Sequence, residues 1–247
     1  ITQVCYFIVI FLFSILTGCA GLPENVDRKY SYAFQDTDET TIGRAVKKGR
    51  ANNPDKSGFF LLGNGLDAFV ARVVSASVAE RSIDVQYYLY HNDLVGNLLS
   101  YSLLKAADRG VRVRMLLDDM GLKGRGMDIA TFESHPNIEI RIFNPFNRNV
   151  FREIQFLTRF GEVTRRMHNK SFTIDNQGTI VGGRNIGNEY FDADPDLAFG
   201  DLDVMAIGPV VQEVSTSFDK YWNSELAYPI STLTSKVSVE KLDEVRP

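Results

Sequence analysis

Cysteine is nearly absent from this 247-residue chain: Cys5 and Cys19 are the only two, both within the first twenty residues. A disulfide framework and a cysteine-based zinc site are therefore excluded for everything downstream. Histidine is almost as scarce, at three: His91, His135 and His168. Surplus positive charge is missing as well. The net charge of −4 argues against a non-specific nucleic-acid binder, because neutralising phosphates needs an excess of Lys and Arg. The apolar stretch Val4 to Leu16 falls short of the ~20 residues of a comfortable membrane span and has the length of a signal-peptide hydrophobic region. What remains is an ordinary globular composition, 44% hydrophobic and 23% charged. The chain is long enough for one sizeable α/β domain or two small ones.

The apolar stretch ends in Leu16-Thr17-Gly18-Cys19, which resembles the bacterial lipobox. In such signals cleavage precedes the cysteine, whose sulfur carries a diacylglycerol. The resemblance implies a lipoprotein signal peptide over residues 1–18 and lipidation at Cys19. It also implies an acyl anchor, each buried methylene adding ~0.8 kcal/mol. The location implied is the periplasmic side of a bacterial membrane, inner or outer. An uncleaved N-terminal anchor helix is the alternative, and either reading places the body beside a membrane. A starting Met and a charged flank are missing, so the chain is expected to begin slightly after its true start. Residues 19–58 are polar and rich in Gly, Pro and Asp without sustained periodicity, and are predicted to be a tether.

Periodicity organises the rest. Leu66 to Glu80 is apolar at helical spacing, Ser82 to Tyr90 is β-branched and aromatic as a strand is, and Leu94 to Arg109 is a helix closed by Gly110. Val111–Asp119 and Ile138–Phe143 are further strands, with a short helix, Met127–Ser134, between them. This alternation predicts an α/β fold with a mainly parallel sheet covered by helices on both faces. Strands at His168–Ile174 and Thr179–Gly183 flank a turn and are predicted to form a hairpin. Asp203–Ile207 is another strand and Val210–Asn223 an amphipathic helix. Residues 226–247 are loose and polar, a linker or a truncated end.

One stretch carries chemistry. Residues two apart on a strand share a side, so His168 and Lys170 project together, and Phe172 and Ile174 continue that side into apolar packing. A nucleophile or general acid then stands beside a fixed positive charge at one end of the sheet. Gly182-Gly183 allows another group, or a substrate, to approach the backbone closely, and Asn185 just beyond can donate its amide. His, Lys and Asn together suit a cluster of phosphate oxygens. A lone His and Lys would read as incidental residues of a half-exposed strand; the full set His168-x-Lys170-x4-Asp175-x6-Gly182-Gly183-x-Asn185 does not.

That set resembles the HKD signature of the phospholipase D superfamily. The segments "DVQYYLYHNDLVGNLL", "LLKAADRGVRVRMLLDD", "IRIFNPF" and "DLDVMAIGPVV" are similar to its cardiolipin synthase branch, so the likeness covers roughly residues 60–225. The resemblance implies an αβα sandwich, with an HKD domain over residues 59–225. By the same resemblance His168 attacks phosphorus to form a phosphohistidine, and Lys170 and Asn185 hold the non-bridging oxygens. Asp201, seven residues before Gly208-Pro209, matches the acidic residue that holds the far nitrogen of the histidine, with Asp203 as fallback. Asp175 has a structural part, pinning the turn and neighbouring backbone. Gly183 lies against the substrate. No cofactor and no metal is implied, since Lys and His supply the positive charge. The partners implied are phospholipids, phosphatidylglycerol first among them, and no nucleic acid.

Other residues admit two readings. Arg165 and Arg166 are candidates for a lipid headgroup, or a solvated basic pair. Asp118-Asp119 either lines the cleft or caps the following loop. Tyr87, Tyr88 and Tyr90 read as core and edge packing, and His91 and His135 as loop residues without a catalytic part. The stretch from Asn144 to Phe160 is a lipid-facing lip or a plain irregular loop. Members of the branch carry two HKD motifs, whereas this chain has one, so the general acid, typically worth ~10²–10⁴ in rate, is missing. It is expected from the second half of a longer or split protein, or from a second copy about a two-fold axis. The function implied is phosphatidyl transfer making cardiolipin. The alternatives are a homodimeric phosphodiesterase or nuclease, and an inactive phospholipid-binding remnant.

Overall fold

The computed structural model of the protein describes residues 22–25, 28–122, 126–234 and Leu242. The expected signal peptide and Cys19 lie outside them. Helix α1 (Thr41–Gly49) comes first, then β1 (Gly58–Leu62) and α2 (Gly65–Val78). Two βα units and a closing strand follow: β2 (Ser82–Tyr87), α3 (Leu94–Asp108), β3 (Arg112–Asp118), α4 (Gly126–Glu133) and β4 (Ile138–Phe143). The short helices α5 (Arg152–Thr158) and α6 (Phe160–Val163) lead to β5 (Ser171–Ile174), β6 (Gly178–Gly182) and β7 (Asp203–Ile207). Helix α7 (Pro209–Trp222) and the edge strand β8 (Ala227–Pro229) complete the order.

The eight strands among the described residues form one sheet in the order β1-β7-β6-β5-β2-β3-β4-β8. Helices α2, α3 and α4 cover one face and α7 the other, so the α/β sandwich expected from the sequence is present. The balance of strand directions differs from expectation. Only β2–β3 and β3–β4 pair in parallel; the other five pairs are antiparallel. The reason lies in the connections. Helices α3 and α4 carry the chain back to the starting end between β2, β3 and β4, which parallel pairing requires. No such return follows β4, because α5 and α6 stay at the carboxyl end, tied to the end of β3 by Asp119. Strand β5 must therefore run the opposite way, and the β5–β6 hairpin keeps alternating direction. Its turn places Asp175 (φ 48°) and Asn176 (φ 51°) in the left-handed region, which Asn and Asp tolerate best after Gly.

Alternation along the strands assigns the two faces. Ile83, Val85 and Tyr87, Val113, Met115 and Leu117, and Ile138, Ile140 and Ile142 all join the main apolar core under α2, α3 and α4. The opposite face is smaller and more polar. Leu116, Phe143 and Met167 pack there with Phe218 and Trp222 of α7, around the buried guanidinium of Arg114. That guanidinium is held by Asp84 at 2.7 Å and Asp219 at 2.9 Å.

Two expected boundaries change. Residues 28–58 are not a tether: Arg114 donates to the Ser31 carbonyl at 3.0 Å, Arg141 to that of Lys29, and Arg112 to that of Tyr32 at 2.9 Å while lying over the Phe34 ring. The segment is polar because its backbone serves buried arginines, and β1 then pairs with β7. Residues from 226 onward begin not as a linker but as β8 on the free side of β4, with Ile230 buried in the core.

Asp175 sits fully buried at the β5–β6 turn and accepts from the amides of Glu80 (3.0 Å), Arg81 (2.7 Å) and Ser82 (2.9 Å). It thereby fixes the passage from α2 into β2. Asp175→Ala leaves three amides without this partner. We expect a loss of about 3 kcal/mol, read as a lowered urea midpoint with unchanged slope.

Candidate active site

Strand β5 begins at Ser171, later than the sequence suggests, and is preceded by an extended segment carrying His168 and Lys170. Because β5 runs antiparallel to β2 with Ser171 opposite Gln86, this segment lies beyond the carboxyl end of β2. Ligands commonly bind at that end of α/β sheets. The two side chains do share a side. The Lys170 ammonium lies 3.3 Å from Nδ1 of His168 and donates to the His168 carbonyl at 3.0 Å. His168 is exposed and Lys170 is buried, so the imidazole is open to a substrate while its companion charge is fixed.

Electrostatics follow from this placement. Partial burial, helped by the Lys170 charge, holds the His168 imidazole below its usual pKa, so it is neutral and nucleophilic near pH 7. Burial also lowers Lys170, against the carboxylates of Asp201 and Asp203, which favour its charged form.

Asn185 follows β6 at the same end. Its carbonyl oxygen accepts from the Leu89 amide at 3.0 Å, which leaves its NH2 without a partner among the described residues. The neighbouring Arg184 turns inward, donating to the carbonyls of Leu62 (3.0 Å) and Gly63 (2.7 Å). The glycine pair answers to two carboxylates. A Cβ on Gly182 would meet Asp203 Oδ1 at 2.0 Å, and one on Gly183 would meet Asp201 Oδ1 at 2.0 Å. The space beside Gly183, expected to receive substrate, is thus filled by Asp201.

The structure separates other expected members. Asp175 stands at the far end of β5, roughly 20 Å of extended chain from His168. Asp201 makes no hydrogen bond to the His168 ring; it lies against Gly183 and beside Lys170. Asp203 cannot serve as the fallback, because Arg72 holds it at 2.8 Å and Arg184 lies 3.7 Å away. Arg165 is exposed, as a solvated cation is. Arg166 is not free for a headgroup: it pairs with Asp118 at 3.1 Å, donates to the Asn144 carbonyl and lies over Phe146.

Two residues have a larger part than the sequence suggests. Tyr88 lies with its ring centre 4.7 Å from that of His168 and 5.8 Å from the Lys170 nitrogen, forming a wall of the site. Within an aromatic run nothing distinguished it from Tyr87 and Tyr90, which are buried. Asp118, at the end of β3, accepts from the Met167 amide at 2.8 Å, one residue before His168, and from the Met120 amide at 2.8 Å. Burial pushes its carboxyl up to about 6, opposed by Arg166 and the two amides. Its position at a carboxyl strand end was the available signal.

The remaining histidines have structural partners. His135 contacts Asp108 at 3.2 Å and accepts from the Asn137 amide. His91 pairs with Glu189 at 3.0 Å. His91, Asp93 and Glu189 lie within 4.8 Å of one another, yet Asp93 already accepts from the amides of Gly96 and Asn188, so the group works as a cap for α3.

Residues 75–222 match the family described as cardiolipin synthase, PLD-like domain. The chain is 46% identical to cardiolipin synthase C of Escherichia coli K12 over 195 residues, 79% of this chain and 41% of that protein. Among solved structures, it resembles the phospholipase D family member Nuc from Salmonella typhimurium with a TM-score of 0.52 at 16% identity, over 70% of this chain and 98% of that one. It resembles phosphatidylserine synthase of Haemophilus influenzae with a TM-score of 0.55 at 14% identity, over 83% and 46%. The chain belongs to the cardiolipin synthase family of phospholipase D-like proteins. It spans less than half the length of the curated relatives it matches.

Lys170→Met removes the cation that disfavours imidazolium. The His168 pKa should rise toward its ordinary value, without reaching it because burial persists; proton NMR titration of the ring reads this directly.

Proposed function

We propose that this domain carries one half-site of a phosphatidyltransferase that makes cardiolipin from phosphatidylglycerol and a second phospholipid. The observation that carries the reading is the exposed His168 imidazole 3.3 Å from the Lys170 ammonium at the carboxyl end of the sheet. The 46% identity to cardiolipin synthase C supports the choice of substrate class.

In this reading the donor phosphodiester docks with its non-bridging oxygens on Lys170 and the free NH2 of Asn185. An imidazole nitrogen of His168 attacks phosphorus. A phosphorus–nitrogen bond forms, the bond to the leaving glycerol oxygen breaks, and that oxygen takes up a proton. A hydroxyl of the second lipid then attacks phosphorus, loses its proton, and releases the imidazole. The two displacements replace one harder step, and the fixed ammonium offsets charge on the phosphoryl oxygens without reorganisation.

The acid and base for those protons come from a second HKD motif, in further chain of a longer protein or in a second copy. Exposed apolar side chains suit such a cover. Leu66 and Leu94 begin α2 and α3 at the carboxyl end of β2, and Leu197, Phe199 and Leu202 lie in the loop before β7. Lipidation at Cys19 would hold the domain on the periplasmic face of a membrane. No helix among the described residues is long and apolar enough to cross one.

One motif per chain also fits a homodimeric phosphodiesterase acting on nucleic acid, although the net charge of −4 counts against it. Parallel incubation with DNA and with phosphatidylglycerol vesicles separates the two. We expect cardiolipin and no DNA cleavage from protein that includes the second motif. His168→Ala should lower cardiolipin output by about 10³-fold or more, and equal output from both proteins would sink the assignment.

A further inference from the structure

Helix α5 is inverted relative to an ordinary surface helix. Its polar Gln155 is buried, donating to the carbonyls of Asn147 (2.9 Å) and Val150 (2.8 Å) and accepting from the Asn147 amide (2.8 Å). Ile154 and Leu157 of this helix, with Phe151 before it and Phe160 after it, point outward instead. Leu157 is 86% exposed, Phe151 79%, Phe160 65% and Ile154 42%. On a soluble surface single exposed apolar residues are common, but four within ten residues, held out by a buried polar anchor, form a patch that needs an apolar partner.

The surroundings specify the partner's charge. Residues 144–167 hold five arginines against two glutamates, but Arg148 and Arg152 pair with Asp119, Arg166 with Asp118 and Arg159 with Glu162, so among the described residues Arg165 is the cation left to face a partner. Arg165 is exposed at the base of the patch, three residues before His168. Asn144 binds the carbonyls of Glu162 and Arg165, each at 2.8 Å, so the patch and the segment leading to the imidazole are tied together. The core side is rigid too: Phe156 packs on Phe146, and Arg152 donates to the Asp119 carbonyl at 2.8 Å.

The geometry points to residues 151–160 as a lip that inserts into the surface of an anionic phospholipid bilayer. Phe151, Leu157 and Phe160 enter the boundary between headgroups and acyl chains, while Arg165 lies at the level of the anionic headgroups. The lip adds a second membrane contact, separate from any N-terminal anchor, and sets the mouth of the site at headgroup depth. The inference rests on the reading that the substrate is a membrane phospholipid, but its test does not depend on turnover.

The test uses the full chain with Cys5→Ser and Cys19→Ser, bearing either Leu157→Cys or Phe60→Cys and labelled with the NBD fluorophore. Phe60, 67% exposed on the edge strand β1, is the apolar control. Vesicles contain phosphatidylcholine alone or mixed equally with phosphatidylglycerol, with a nitroxide quencher shallow in the acyl region. We expect emission at position 157 to rise at least about two-fold with the anionic vesicles and to be quenched, with little change at position 60 or with phosphatidylcholine alone. No rise at 157 overturns the proposal, as does an equal rise with neutral vesicles. A concentration-dependent rise without lipid would assign the patch to a protein contact and also overturn it. His168→Ala should leave the signal at 157 intact, so a failed transfer assay and a failed insertion are told apart.

Discussion

The carboxylate of Asp118 is the contact on which the open end of the sheet depends. Residues 165–170 have no ladder of their own, because β5 begins only at Ser171. Their position comes from a neighbouring strand end, through the Met167 amide and the Arg166 guanidinium that Asp118 binds. Asp119, the next residue, does the same for the following stretch, accepting from the Phe146 amide at 2.7 Å and from both terminal nitrogens of Arg148. Two consecutive carboxylates at the end of β3 thus locate the imidazole on one side and the exposed helix α5 on the other. Removing one partner of such a buried charged group strands the other, at a cost of ~3–5 kcal/mol.

The polar face of the sheet follows the same logic. Arg114 is enclosed by Asp84, Asp219 and the Ser31 carbonyl, with Phe218 and Trp222 over its guanidinium. Arg141 lies 4.2 Å from the Trp222 ring and donates to the Trp222 carbonyl. Buried ion pairs of this sort add little net stability over an apolar core, but they are exacting about geometry. Here they fix how α7 and the N-terminal segment lie on the sheet. The apolar face, with its Ile, Val and Leu layers, supplies the bulk of the hydrophobic burial.

Much of this was legible in the sequence. The strands β2, β3, β4, β6 and β7 fall within a few residues of where alternation puts them, since each has a side that must meet the core. Direction was not legible: parallel and antiparallel strands buried on both faces read alike, and what decided direction was whether a helix returned the chain. Residues 28–35 looked like a tether because their polar composition hides that buried arginines need their carbonyls. At the site, the spacing of His168 and Lys170 put their side chains together because two-residue alternation leaves little freedom, and the short hairpin put Asn185 at the same end of the sheet. The expected bond from Asp201 to the imidazole did not appear; its carboxylate lies in the space beside Gly183. Tyr88 escaped notice because an aromatic beside a strand end has no pattern separating packing from a binding wall.

Strand β1 has a consequence for how the chain is made. Among the described residues it pairs with β7 alone, residue by residue from Gly58 with Ile207 to Leu62 with Asp203. A nascent chain emerging from the ribosome therefore presents Phe59, Phe60 and Leu61 well before the strand that receives them has been translated. Such long-range closure slows folding and leaves an apolar, unpaired edge open to the wrong neighbour. The hazard during biosynthesis is thus concentrated in this early stretch, and a chaperone that shields it until β7 emerges would protect the whole sheet.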